Sequence, residues 1–234
     1  MKQSRLEFRV LGLCALAISM VISTSGVARA EVGANWMVNG SNISSTLRPI
    51  VETSLENKTG SLLTTILGIP VKVLCKEIKL INIQLLKEGA VSSGAAFFYQ
   101  CATFLEGSAL ASVPCLPRSG GGVDEIVTHA VGLLVLVGGV GEVLFKSPSE
   151  GPLTTIESTA ECAVGQKINI QGELIVRDCQ VGIKEEFVTH LFEADNVNST
   201  LKASGQKATL DGSVNAGFID FPEHLGLRWS GLPA

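Results

Sequence analysis

From residue 47 to residue 229 the apolar positions come in short runs, and many of these runs alternate with polar residues. Lys79–Leu86 shows the pattern best. Leu80, Asn82, Gln84 and Leu86 fall on one side, and Ile81, Ile83 and Leu85 on the other. A period of two is the signature of a β-strand with two distinct faces. Similar runs are Leu47–Glu56, Ser61–Leu67, Val71–Cys75 and Ala95–Thr103 in the first half. In the second half they are Ile126–Val137, Val140–Phe145, Leu153–Cys162, Ile168–Asp178, Phe187–Phe192, Thr200–Ala203, Ala208–Leu210, Ala216–Phe221 and Leu225–Trp229. Pro49, Gly60, Gly68, Pro70 and Gly89 punctuate the first group, as turn residues do between strands. Gly107–Gly122, with three consecutive glycines, two prolines and several serines, reads as a loop and as a weak candidate for a domain boundary.

A helical period is hardly visible. The nearest case is Glu185–Val197, where Phe187, Leu191 and Ala194 could share a face. Many short strands with regular turns predict an all-β, single-domain antiparallel sandwich or barrel over residues 31–234. Ala130–Gly141 carries no charge, but it is shorter than the ~20 residues that span a bilayer as a helix. It reads as strand, Gly138-Gly139 turn and strand. Ile-Asn-Ile-Gln occurs twice, at Ile81–Gln84 and Ile168–Gln171, each time after a cysteine (Cys75, Cys162). Chance is the favoured reading of this echo over a duplicated hairpin.

The first 30 residues break the pattern. A basic stretch with Lys2, Arg5 and Arg9 precedes an apolar run from Val10 to Ile22, and the segment closes on Ala28-Arg29-Ala30. That is the layout of a secretory signal peptide, with cleavage expected between Ala30 and Glu31. A lipoprotein signal fits less well, because Leu13 rather than a small residue precedes Cys14. The leader takes four bases (Lys2, Arg5, Arg9, Arg29) and one acid (Glu7) out of 18 and 22, leaving 14 bases and 21 acids, a net charge of −7. An acidic exported chain is a poor partner for nucleic acid or anionic lipid.

Five cysteines follow the leader: Cys75, Cys101, Cys115, Cys162 and Cys179. In an oxidising compartment two disulfides and one spare thiol are expected. Order and spacing favour Cys162 with Cys179, across a hairpin turning near Gly165-Gln166, and Cys101 with Cys115. Cys75 with Cys101 is the rival pairing. The expected spare is Cys75, at the end of the apolar run Val71–Leu74, as a buried inert thiol. No Cys-x-x-Cys occurs and no histidine stands at ligand spacing from a cysteine, so no metal is expected.

Catalytic motifs are missing as well. His129, His190 and His224 each lie near carboxylates, but no Gly-x-Ser-x-Gly elbow positions a nucleophile and no His-Glu-x-x-His holds zinc. Gly120-Gly121-Gly122 and Gly138-Gly139 lack the phosphate-loop pattern, and no cofactor is expected. Trp36, Tyr99 and Trp229 are the only Trp and Tyr residues, too few for sugar stacking; both tryptophans read as core plugs or terminal tethers. Asn39, Asn42, Asn57 and Asn198 stand in Asn-x-Ser/Thr acceptors, which would carry surface glycans in a eukaryotic host.

Gly33-Ala34-Asn35-Trp36-Met37-Val38-Asn39-Gly40 resembles the start of the mature chain in a family of uncharacterised bacterial exported proteins. Glu56-Asn57-Lys58, Ser61-Leu62-Leu63, Val73-Leu74-Cys75, Pro114-Cys115, Val176-Arg177-Asp178-Cys179 and the closing Gly226–Ala234 are similar too. The resemblance covers nearly the whole mature chain and implies export and a single β domain; it carries nothing on mechanism. The chain departs from it at the apolar Gly132–Gly141, where a more polar stretch is expected.

Three functional readings follow. The first is a non-enzymatic, disulfide-stapled exported β protein with a binding or structural role, its partner in the cell envelope. The second is a carrier for an apolar small molecule inside a β barrel. The third is a hydrolase with a site assembled from distant loops.

Overall fold

The computed structural model describes residues 31–32, 35–38, 41–43, 50–53, 59–105, 115–120, 122–158, 167–179 and 189–218. Within them the chain is β apart from a 3-10 turn at Lys87–Gly89. The first strands are β1 (Glu31–Val32), β2 (Met37–Val38), β3 (Ser41–Asn42), β4 (Ile50–Thr53), β5 (Gly60–Ile66), β6 (Ile69–Cys75), β7 (Glu77–Ile81) and β8 (Ile83–Gln84). The middle of the chain gives β9 (Ala90–Tyr99), β10 (Ala102–Leu105), β11 (Pro117–Arg118), β12 (Ile126–Val137) and β13 (Val140–Lys146). Then follow β14 (Thr154–Ser158), β15 (Lys167–Gln171), β16 (Leu174–Asp178), β17 (Thr189–Ala194), β18 (Lys202–Ala203) and β19 (Gln206–Phe218).

Every ladder between these strands is antiparallel, and the ladders form two tiers. From β9 they lead through β12, β13, β16, β17, β19, β4 and β8. The Leu85–Val91 bridge, next to β8, returns to β9. In the other tier β10, β6, β5, β19, β18, β15, β14 and β11 follow one another, and the Thr103–Cys115 bridge links the ends. The fold is therefore all-β and barrel-like, as the alternation predicts. The Gly138-Gly139 turn joins β12 to β13 with positive φ at both glycines, 59° and 85°, as a two-residue hairpin requires.

Single residues bend the strands, and the bends at Gln100 and Gly172 carry the chain from one tier to the other. Lys79–Leu86 is interrupted at Asn82 (φ 55°), Ala95–Thr103 at Gln100 (φ 51°) and Ile168–Asp178 at Gly172 (φ 98°). The two Ile-Asn-Ile-Gln runs differ accordingly. The first contains the bend at Asn82, whereas the second is a regular strand with exposed and buried residues alternating. Ala208–Leu210 and Ala216–Phe221 read as two strands, but Ala208–Leu210 and the described part of the second run, Ala216–Phe218, share the single β19. The intervening Asp211-Gly212-Ser213 looks like a turn in sequence, yet Gly212 at φ 133° keeps the chain extended while it changes neighbours. On one side of it Gly212 pairs with Gly60 of β5; on the other Ser213 pairs with Glu193 of β17.

A Cβ at Gly212 would lie 2.6 Å from the Thr59 carbonyl oxygen and 2.9 Å from Gly60 Cα. Neither is a flexible side chain that can yield. Gly212→Ala is therefore expected to cost about 2–4 kcal/mol, combining backbone strain with the clash. A urea midpoint unchanged from wild type would contradict this.

The disulfides correct the expectation. Cys75 is bonded to Cys101, with Cα atoms 4.0 Å apart, so Cys75 is not a free thiol and Cys101 does not pair with Cys115. The reason is register. β7 with β9 and β6 with β10 keep one continuous alignment from Ile81–Ala95 to Val71–Leu105, which sets Cys75 opposite Cys101. Cys115 instead faces Thr103. Cys115 and Cys179 each also take part in a disulfide, and no described cysteine is free. Cys162, and with it the Cys162–Cys179 expectation, lies outside the described residues, as do the leader up to Ala30, Asn39, Asn57, His224 and Trp229. Of the expected loop Gly107–Gly122, residues 115–119 are drawn into strand pairing with β10, β14 and Ile126.

Candidate functional site

Alternation along each strand sends one set of side chains inward. In the first tier these form a cluster of Trp36, Ile83, Leu85, Leu134, Val143, Phe192 and their neighbours. In the second, Leu62, Val73, Ile126, Ile156, Ile168 and Ile170 pack around Cys75 and Cys101. The two clusters do not fill the space between them. A cavity of ≈ 240 Å³ is lined by residues from both, from Trp36 and Leu85 at one end to Ile156 and Ile170 at the other. Small inward residues leave the room: Ala96 on β9, Ala130 on β12 and Ala216 on β19 all face it.

Its chemistry is that of hydrocarbon. The Ser92, Thr128 and Thr154 hydroxyls on its wall are already engaged. Ser92 Oγ accepts from the Gln84 N–H at 2.9 Å, Thr128 Oγ1 donates to the Leu153 carbonyl at 3.0 Å, and Thr154 Oγ1 to the Val127 carbonyl at 2.8 Å. A polar ligand entering here would give up its hydration and gain few hydrogen bonds, a net cost. An apolar ligand loses only its contact with water. Trp36 is fixed at the wall by its indole N–H, which donates to the Ala90 carbonyl at 3.0 Å. The ring, expected as a core plug, is both core and cavity wall.

A buried cluster of titratable groups lies outside the cavity wall. Glu142 follows Gly141 on β13 and points away from the cavity, opposite to its neighbour Val143. It is 5 % exposed and faces Arg177 in register on β16. Arg177 in turn reaches the buried Asp195 at 3.6 Å. Burial pushes the Glu142 carboxyl up and the Asp195 charge adds to it; Arg177 offsets part, and the result is about 7 instead of 4.5. Its contact with Asp195 becomes a hydrogen bond only when one carboxyl is protonated. Burial also pushes Asp195 up, but hydrogen bonds from the Asn198 amide, from the Asn198 and Val197 N–H groups, and the Arg177 charge outweigh it and leave that carboxyl below its usual range. This cluster fixes the 195–199 turn, where Asn196 clamps the Leu210 N–H and carbonyl of β19 at 2.9 and 2.7 Å. Asn198 thus commits its amide to Asp195, while Asn42 is exposed.

Of the histidines, His129 is not among these groups. His129 is an exposed residue of β12, paired with Ala95 and outside the cavity wall. The backbone of His190 pairs with Ala216. No group of three or more His, Cys, Asp or Glu among the described residues could hold a metal ion, and no described helix is long and apolar enough to cross a membrane. The cavity itself was not legible in the sequence: alternation marks which side chains turn inward, but not whether two facing sets meet. The signal that could have found it is the number of alanines on inward positions. Comparison with family models, with curated proteins and with solved structures finds no match for this chain.

Proposed function

We propose that this protein is a non-enzymatic, exported binding protein that holds a small apolar molecule between its two tiers. The observation that carries the reading is the cavity, with its apolar wall and its engaged hydroxyls. Its size sets the ligand. An apolar cavity of about 150 Å³ is enough for benzene, and drug-sized ligands occupy sites of about 300–1,000 Å³. At ≈ 240 Å³ the cavity suits a short alkyl chain or a one- or two-ring hydrocarbon. Support for export comes from the layout of residues 1–30 and from the Cys75–Cys101 bridge, because disulfides persist in oxidising compartments.

The test is a cavity-filling variant. Ala216 is buried and faces the cavity, so Ala216→Leu places three further carbons in it. Calorimetric titration with n-octane in a low-detergent buffer should show binding by wild type and at least tenfold weaker binding by the variant, with the urea midpoint unchanged or raised. Equal octane binding by a folded Ala216→Leu protein would sink the reading.

A further inference from the structure

A second space lies on the outer surface and adjoins the cavity. It is a groove of ≈ 530 Å³ across β17, β19, β5 and β6, with Ser61, Lys72 and Asn196 on its wall. Gly60, Glu193, Asp211, Gly212 and Ser213 line both the groove and the cavity. The two spaces therefore share a wall where β19 changes neighbours, at the crossing of Gly60 and Gly212, which carry no side chain.

The two spaces differ in chemistry. Glu193 and Asp211 set two carboxylates in the groove against one ammonium, Lys72, and none of the three is in a salt bridge among the described residues. Arg177, the register partner of Glu193 on β16, is engaged by Asp195. Asp211 lies two positions along β19 from Ser213, the partner of Glu193 on the other side. Ser61 is 5 % exposed and lines the groove, and its hydroxyl makes no hydrogen bond among the described residues. Asn196 is committed to Leu210.

We propose that groove and cavity form one amphiphilic site for a single-chain alkylamine, with the tail in the cavity and the ammonium in the groove beside Glu193, Asp211 and Ser61. This rests on the apolar-ligand reading and specifies the ligand class. An ammonium head gives each of its N–H donors an oxygen acceptor and neutralises the carboxylate excess. A carboxylate head meets two like charges with Lys72 as its single counter-ion, so the groove selects against it. Because the groove is open to solvent, the discrimination weakens with salt.

The experiment titrates octylamine, octanoate and n-octane into the folded protein at pH 7 and low ionic strength. Octylamine is expected to bind at least tenfold more tightly than octanoate. In the Glu193→Gln/Asp211→Asn double variant, with an unchanged urea midpoint as the folding control, that preference should fall to within threefold. The inference is overturned if octanoate binds as well as octylamine, or if the folded double variant keeps the tenfold preference. Octane binding without head-group discrimination overturns this inference alone; failure of all three ligands overturns the apolar-ligand reading with it.

Discussion

Replacing Cys75 and Cys101 together by alanine is expected to lower the unfolding free energy by roughly 3–4 kcal/mol, the chain-entropy cost of releasing a loop of this size. The loop is set by a sequence separation of 26. The bridge lies where β6 passes into β7 and β9 into β10, beside the Lys76 N–H that donates to the Tyr99 carbonyl at 3.1 Å. It ties the two tiers at the point where both strands cross between them. Both sulfurs are buried, with residue exposures of 4 and 1 %, so the alanine pair also loses apolar contacts. Urea unfolding of oxidised wild type and the double variant measures the difference. A loss under about 1 kcal/mol would mean the inter-tier crossing holds without the bridge.

Glu142→Gln should have an effect that depends on pH. The folded-state carboxyl titrates at about 7 against 4.5 in the free group, so the folded protein holds this proton more tightly than the unfolded chain. The stability it contributes is fully present below pH 4.5 and is lost as pH rises through 7. A shift of that size corresponds to at most roughly 3 kcal/mol. Glutamine keeps the shape and the donor toward Asp195 but cannot ionise. The variant should match wild type near pH 5 and exceed it by about 2–3 kcal/mol near pH 9. Asp195 titrates in the opposite sense. Its lowered carboxyl contributes stability above its unfolded value that is lost as pH falls through the folded one, so the acid limb should survive in the variant. Equal effects at pH 5 and pH 9 would refute this assignment.

The strands were legible because alternation is a local property: Ile126–Val137 and Val140–Phe145 lie in strands where the pattern puts them. Bends were less so. Asn82, Gln100 and Gly172 interrupt runs that look continuous, while Gly212 joins two that look separate. A positive φ at one residue leaves little mark on composition. The disulfide was misread for a related reason. Spacing along the chain favours Cys101 with Cys115, but the pairing follows the register of β6–β7 on β9–β10. Register is fixed by long-range ladders, and the cysteines it aligns lie at the end of Val71–Cys75 and inside Ala95–Thr103. The Glu142–Arg177–Asp195 cluster joins residues from β13, β16 and the turn after β17, and no sequence motif brings those elements together.

The most direct test of the apolar-ligand reading uses Trp36 as its own reporter. The chain has two tryptophans, so Trp229→Phe leaves Trp36, held at the cavity wall by Ala90, as the only indole. Titration with 1-bromooctane, whose bromine quenches indole fluorescence on contact, should give saturable quenching with one-to-one stoichiometry. Adding Ala216→Leu to that variant should abolish the saturable phase. Quenching that rises linearly with bromooctane, no stronger than for indole free in solution, would contradict the reading that the interior takes an apolar ligand.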